Sequence, residues 1–265
     1  MHPLRHNTVR TAAAATGLAA AAALALAAPA GAASTTTTTA AGNAAATAQY
    51  NAALKAVGTK GVHFISVAKQ NGAELDVSGD AGSTSGTQTL VVKNKGTTEL
   101  MSALVVGSTG YVKGNAAALQ NVIGLTKAES TKYAGKWLSF PTSNQGLGEL
   151  VGGLLSSQVA KELEIGGPYT IAKSATVAGQ KATAIKGSVA SQSGGTVPVV
   201  LYIPASGTPL PIQEVTNPGN VGGASAIHGV VTFSNWGEDK KHTAPAKSVS
   251  LLSLAPASSS SSTAG

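Results

Sequence analysis

Residues 86–140 carry an unbroken succession of strand, turn and helix signals, and any fold for this chain has to accommodate them. Two runs rich in Thr, Val and Leu, 86–94 and 97–106, are separated only by Lys95 and Gly96, a short link whose glycine accepts positive φ. They predict a hairpin. Gly107 to Gly110 gives a second turn, after which Tyr111, Val112 and Lys113 resume the sheet and Gly114 and Asn115 break it. Asn115 is placed to cap a helix over 116–123, in which Leu119, Val122 and Ile123 share one face. Thr126 and Glu129 have capping-box spacing for a second short helix over 126–133, ended by Gly135. Lys136 to Phe140 then returns as a strand that Pro141 stops. Helices inserted between strands of one sheet come to lie over one of its faces, here an apolar one. Tight packing there makes an ordinary core; a curved sheet with helices standing off makes an apolar cavity. These residues alone favour the filled core, the normal state of protein interiors.

The flanking sequence extends the same sheet. Tyr50, Ala53, Leu54 and Val57 have helical spacing, and strands are expected over 62–69 and 73–80 around the hairpin turn Asn71-Gly72. After Pro141, residues 144–163 present Leu147, Leu150, Val151, Leu154, Leu155, Val159 and Leu163 on a helical stripe loosened by four glycines. That segment reads as a lid, or more plainly as two short packed helices. Further strands are expected over 169–177, 180–189, 197–203, 210–215, 226–236 and 247–254. Roughly ten or eleven strands joined by short links, with few helices, predict an α+β fold with one large curved antiparallel sheet. A two-sheet sandwich is the alternative.

The ends differ in composition. Residues 1–30 have the parts of a secretory signal: Arg5 and Arg10, an Ala-rich apolar run, and Ala28-Pro29-Ala30 as a cleavage site. Residues 31–49 are expected to be a disordered Thr/Ala-rich linker, 50–254 the folded domain, and 255–265 a disordered Ser-rich tail. The chain contains no Cys, which excludes disulfides, thiol chemistry and a thioether-linked lipid anchor. A secreted, extracellular or wall-associated protein held together by its core is the expectation.

Beyond residue 30 there are sixteen Lys, no Arg and eleven acidic residues, a formal balance of +5. Lacking Arg, the residue that forks onto phosphates and guanine edges, the chain is not expected to bind nucleic acid. Its scattered lysines fit a solvated surface able to make transient contact with anionic membrane lipids. No enzyme emerges from the residues. No Ser has the flanking glycines of a nucleophile elbow, and Gly146-Leu147-Gly148 has Val151 where a dinucleotide loop needs its third glycine. His63, His228 and His242 have no metal-ligand spacing. Glu162 and Glu164, two apart on an expected helix, face different directions and make no carboxylate pair with each other. Neither a cofactor nor a metal is expected.

Residues 105–115, Val-Val-Gly-Ser-Thr-Gly-Tyr-Val-Lys-Gly-Asn, followed by Lys132-Tyr133-Ala134-Gly135-Lys136-Trp137, resemble the actinobacterial LppX/LprA/LprF/LprG envelope lipoprotein family. The order of strands, helical insert and strands is similar too, so the resemblance covers roughly Tyr50 to Leu254. It implies a LolA-like half-barrel whose concave side is crossed by helices and encloses an apolar cavity for acylated lipids or glycolipids. Many of these relatives carry a lipobox Cys, absent here, so a soluble, monomeric, non-enzymatic carrier is the version that fits. The candidate walls are then Leu75, Val77, Leu90, Val92, Met101, Ala103 and Val105 from the central strands, with Leu119, Val122, Leu147, Leu150, Val151 and Leu154 from the covering helices. Acyl chains need only apolar walls, at about 0.8 kcal/mol per buried CH₂. The same fold in an envelope protein-interaction or sensor module, with no lipid cargo, is the alternative function.

Overall fold

The computed structural model describes residues 40–70, 72–190, 196–216 and 228–254; the signal-like residues 1–30 and the Ser-rich tail lie outside them. An opening helix, α1 (Ala40–Val57), leads into two hairpins, β1 (Val62–Gln70) with β2 (Ala73–Ala81) and β3 (Ser85–Asn94) with β4 (Thr97–Val106). Then come β5 (Thr109–Gly114), α2 (Ala116–Asn121), α3 (Lys127–Tyr133), β6 (Leu138–Pro141), α4 (Gln145–Gly148), a 3-10 turn Gly152–Leu154 and α5 (Ser156–Glu162). The second half is β7 (Gly166–Ile171), β8 (Ala175–Val177), β9 (Gln180–Ala190), β10 (Thr196–Pro204), β11 (Gln213–Thr216), β12 (His228–Ser234) and β13 (Val249–Ser250).

All of these strands belong to one sheet, ordered β13-β6-β5-β4-β3-β2-β1-β12-β11-β10-β9-β7, with β8 also on β9. Every pairing is antiparallel except β13 on β6. The sheet is open and curved, an α+β half-barrel with few helices, and the sandwich alternative does not occur. Its two halves meet where β12 pairs with β1, bringing residues 228–234 beside residues 63–69.

Local signals explain the elements nearest the insert. Lys95 and Gly96 both take positive φ, 46° and 82°, so the β3–β4 link has the twist that a two-residue hairpin needs. Asn115 Oδ1 accepts from Ala118 N at 2.9 Å, and Thr126 and Glu129 form the reciprocal capping box on α3.

Several boundaries depart from the sequence expectation. Helix α1 begins at Ala40 and reaches back into the segment expected to be linker. Alanine has the highest helix propensity, and Ala46, Tyr50, Ala53 and Val57 recur at helical spacing and are all buried. Residues 144–163 form three short pieces in place of one helix or two, because glycines at 146, 148, 152 and 153 weaken the turns before α5. The strand expected over 169–177 divides into β7 and β8, with a register shift between Gly166 and Thr170 around Pro168, which has no N–H for the ladder. Only Val249 and Ser250 of 247–254 pair, and the chain then turns into a 3-10 segment, Leu251–Ser253.

Candidate functional site

Directly paired residues in an antiparallel sheet share a face, so the registers define the concave surface row by row. One row runs Leu201, Glu214, Val231, Ser66, Val77, Leu90 and Met101 across β10, β11, β12, β1, β2, β3 and β4. A neighbouring row runs Phe233, Phe64, Gly79, Gln88, Ala103, Val112 and Leu138. Every member of both rows is buried. This is the face that the helices cover.

All the wall candidates named from sequence fall into a single apolar cluster. Val77, Leu90, Met101, Ala103, Val105, Leu119, Leu150, Val151 and Leu154 are buried in it, and Leu75, Val92, Val122 and Leu147 are half-buried against it. The same cluster continues through Phe64, Ile185, Leu201, Val231 and Phe233, so the interior extends across β1, β9, β10 and β12 as well. Those residues are not among the candidates, although they lie within the expected strands 62–69, 180–189, 197–203 and 226–236.

The cover is tied down at discrete points. Gln88 Nε2 donates to Leu150 O at 3.2 Å, Gly82 N to Leu154 O at 3.3 Å, and Ser156 N to Gly82 O at 2.8 Å. Gly86 lies directly beneath Leu154, where a Cβ would run into the Leu154 carbonyl. The segment expected to be a loose lid is thus tied through its backbone to Gly82, just beyond β2, and to Gln88 on β3. At the other side, the Tyr50 hydroxyl donates to Leu163 O at 3.2 Å and accepts from Ile165 N at 2.7 Å. The Tyr50 ring also packs on Tyr169, with centroids 4.6 Å apart, so α1 clamps the passage from α5 into β7.

Polar groups interrupt this interior at a few places. Glu214 is only 4% exposed. Burial, with the charge of Glu162 adding to it, pushes its carboxyl up to about 7. Burial also raises Glu162 on α5, while Lys161 beside it works in the opposite direction. Ser66 Oγ is buried and without a hydrogen-bond partner among the described residues. Burial holds Tyr50 well above the usual tyrosine range. The Glu162–Glu214 relationship joins residues that local spacing cannot connect; its one sequence signal is an acid within an expected strand, 210–215.

Other sequence candidates stay separate. His63 Nδ1 lies 2.9 Å from Asp80 Oδ1, with Lys240 Nζ 2.8 Å from the same oxygen, whereas His228 and His242 lie on other segments. Among the described residues no group of three His, Asp or Glu side chains is arranged to hold a metal. No described helix is long and apolar enough to cross a membrane.

No protein-family model matches the sequence, and no curated protein is similar to it at a significant level. Solved structures are similar in fold. LprF from Mycobacterium bovis aligns over 77% of this chain and 98% of its own, with 16% identity and a TM-score of 0.50. The lipoprotein LppX of Mycobacterium tuberculosis aligns over 75% and 98%, with 16% identity and a TM-score of 0.44. A chain of the MucA/MucB complex of Pseudomonas aeruginosa aligns over 76% and 62%, with 14% identity and a TM-score of 0.39. The chain therefore has a LolA-like half-barrel fold in common with LprF, a member of the envelope lipoprotein family that its sequence resembles.

Proposed function

We propose that this protein is a secreted, non-enzymatic carrier that takes the acyl chains of a lipid or glycolipid into the interior of its half-barrel. The observation that carries this reading is the continuity of one apolar cluster from Met101 on β4 to Leu201 on β10, under a cover made of short helical pieces. Pieces four to seven residues long, such as α4 and α5, have little stability of their own and owe their place to apolar contact and a few backbone ties. They are able to give way singly while the sheet stays intact. Apolar walls are all that an acyl chain requires, and about ten methylenes supply roughly 8 kcal/mol at about 0.8 kcal/mol each.

Residues 1–30 would direct export, and the absence of Cys leaves the mature chain without a thioether-linked lipid, free to move between membrane surfaces. Wall residues are the named candidates on β2, β3 and β4 and their cover, joined by Phe64, Val231 and Leu201 on the other half.

Ala103→Phe tests the reading, because Ala103 is buried in the middle of the concave face. In a lipid-accepting interior the added ring occupies ligand space: a fluorescent acylated probe binds the wild type and binds the variant at least tenfold more weakly, with thermal stability nearly unchanged. In a filled core the ring overpacks the interior, lowering stability by about 1–3 kcal/mol, and the wild type binds no probe. That second outcome would leave the interaction module as the better description.

A further inference from the structure

Among the described residues Glu214, on β11, is the one acid buried in the interior. Glu214 and Ser66 are both register partners of Val231, one on each side, so both project from the same concave row. Adjacent strands place their Cα atoms roughly 10 Å apart in total, with the Val231 side chain between them. Glu214 is 4% exposed and Ser66 1% exposed, and the Ser66 hydroxyl has no partner among the described residues. The charge of Glu162 on α5 adds to the effect of burial on the Glu214 carboxyl. No Lys or His among the described residues forms an ion pair with Glu214 or Glu162. Glu214 and Ser66 therefore offer buried oxygens from one row of the interior, with Lys161 acting on Glu162 alone and no described cation paired with Glu214.

Such a station discriminates by charge. A phosphate or carboxylate entering it would face like charge in a poorly solvated site. A hydroxyl satisfies acceptors but leaves the carboxylate unneutralised. An ammonium supplies three donors and the missing positive charge, and its charge-assisted hydrogen bonds are the strongest available here.

We propose that Glu214, with Glu162 and Ser66, receives a cationic amino group carried by the lipid ligand, so that the interior selects amine-bearing acylated molecules over neutral or anionic ones. This rests on the carrier reading above. The net charge of the chain works against nonspecific attraction of amines, since lysines outnumber acidic residues by sixteen to eleven beyond residue 30. A preference for amines would therefore have to come from a local site.

The test is displacement of a fluorescent acylated probe from the full chain by dodecylamine, dodecanol and dodecyl phosphate at pH 7.5, each below its micelle-forming concentration. Dodecylamine is expected to displace the probe at roughly tenfold lower concentration than dodecanol, with dodecyl phosphate weakest. Glu214→Gln should erase the amine preference and leave displacement by dodecanol unchanged. Glu162→Gln, on the covering helix, should reduce that preference in part, and it serves if Glu214→Gln fails to fold. Equal displacement by all three molecules in the wild type, or an amine preference that survives either substitution in full, overturns the proposal and leaves the carrier reading standing. Absence of probe binding by the wild type defeats both.

Discussion

The side-chain amide of Gln88, buried on the concave face of β3, donates to the backbone carbonyl of Leu150 at 3.2 Å and so ties the covering segment to the sheet. Gln88→Leu conserves much of the volume but leaves that carbonyl without this donor. The expected cost is about 1–3 kcal/mol. Hydrogen exchange should show where it falls: the Ser156 amide, which donates to Gly82 O, exchanges faster, while amides at the β3–β4 pairing keep their protection. Uniform loss of protection through β3 and β4 would show that Gln88 supports the sheet and not its cover.

Gly86 provides a second, steric test of the same contact. Its missing side chain is what lets the Leu154 backbone lie against β3, and a Cβ would also press on Asp80 O at 2.8 Å. Gly86→Ala should therefore destabilise the protein by about 2 kcal/mol, beyond any gain from stiffening the unfolded chain. Denaturant unfolding measures it, and a neutral or stabilising result would mean the segment is free to shift away.

Glu214 makes stability depend on pH in an unusual direction for an acid. Its carboxyl titrates at about 7 in the folded chain against 4.5 for an ordinary glutamate, so between those values the folded state holds a proton that the unfolded state has released. Stability accordingly falls as pH rises from about 4.5 through about 7, by up to about 3 kcal/mol. Glu162 from α5, itself raised by burial and moderated by Lys161, adds in the same direction. Tyr50 from α1 and Tyr169 from β7 also face this region, and both are shifted upward by burial, away from this window. Glu164 and Ser66 complete the surroundings. Glu214→Gln should flatten the profile and melt higher than the wild type at pH 8, with little difference at pH 4.5. Parallel melting profiles for the two proteins across that range would show that Glu214 is ionised and solvated in the folded state.

How much of this was legible in the sequence depends on the range of the interaction. The Lys95-Gly96 turn, the Asn115 cap and the Thr126–Glu129 box are contacts between residues at most three apart, and each formed where its spacing placed it. Period-two alternation likewise put Leu75, Val77, Leu90, Val92, Met101, Ala103 and Val105 on one face, and the covering residues joined them in one cluster. Alternation does not, however, say whether such a cluster is filled or accepts a ligand. The stitching of Leu154 and Ser156 to Gly82 depends on two glycines opposite a backbone some seventy residues away, which no local pattern records. Glu162 acts on Glu214 from a distant part of the chain, on α5 and β11 respectively, so their relationship could not be read from either neighbourhood. Helix α1 extends past its expected start because a run of Ala and Thr resembles a linker until a packing partner, here β7 and α5, gives its small side chains something to bury against.

The central claim, an interior that carries acylated lipid, is tested most directly by native mass spectrometry of the chain purified from its native host without detergent. The expected result is a folded species heavier than the polypeptide by the mass of one acylated molecule, with that mass recovered in an organic extract and lost from the protein after extraction. A folded protein found only at its polypeptide mass, which also fails to take up an acylated probe, would contradict the claim.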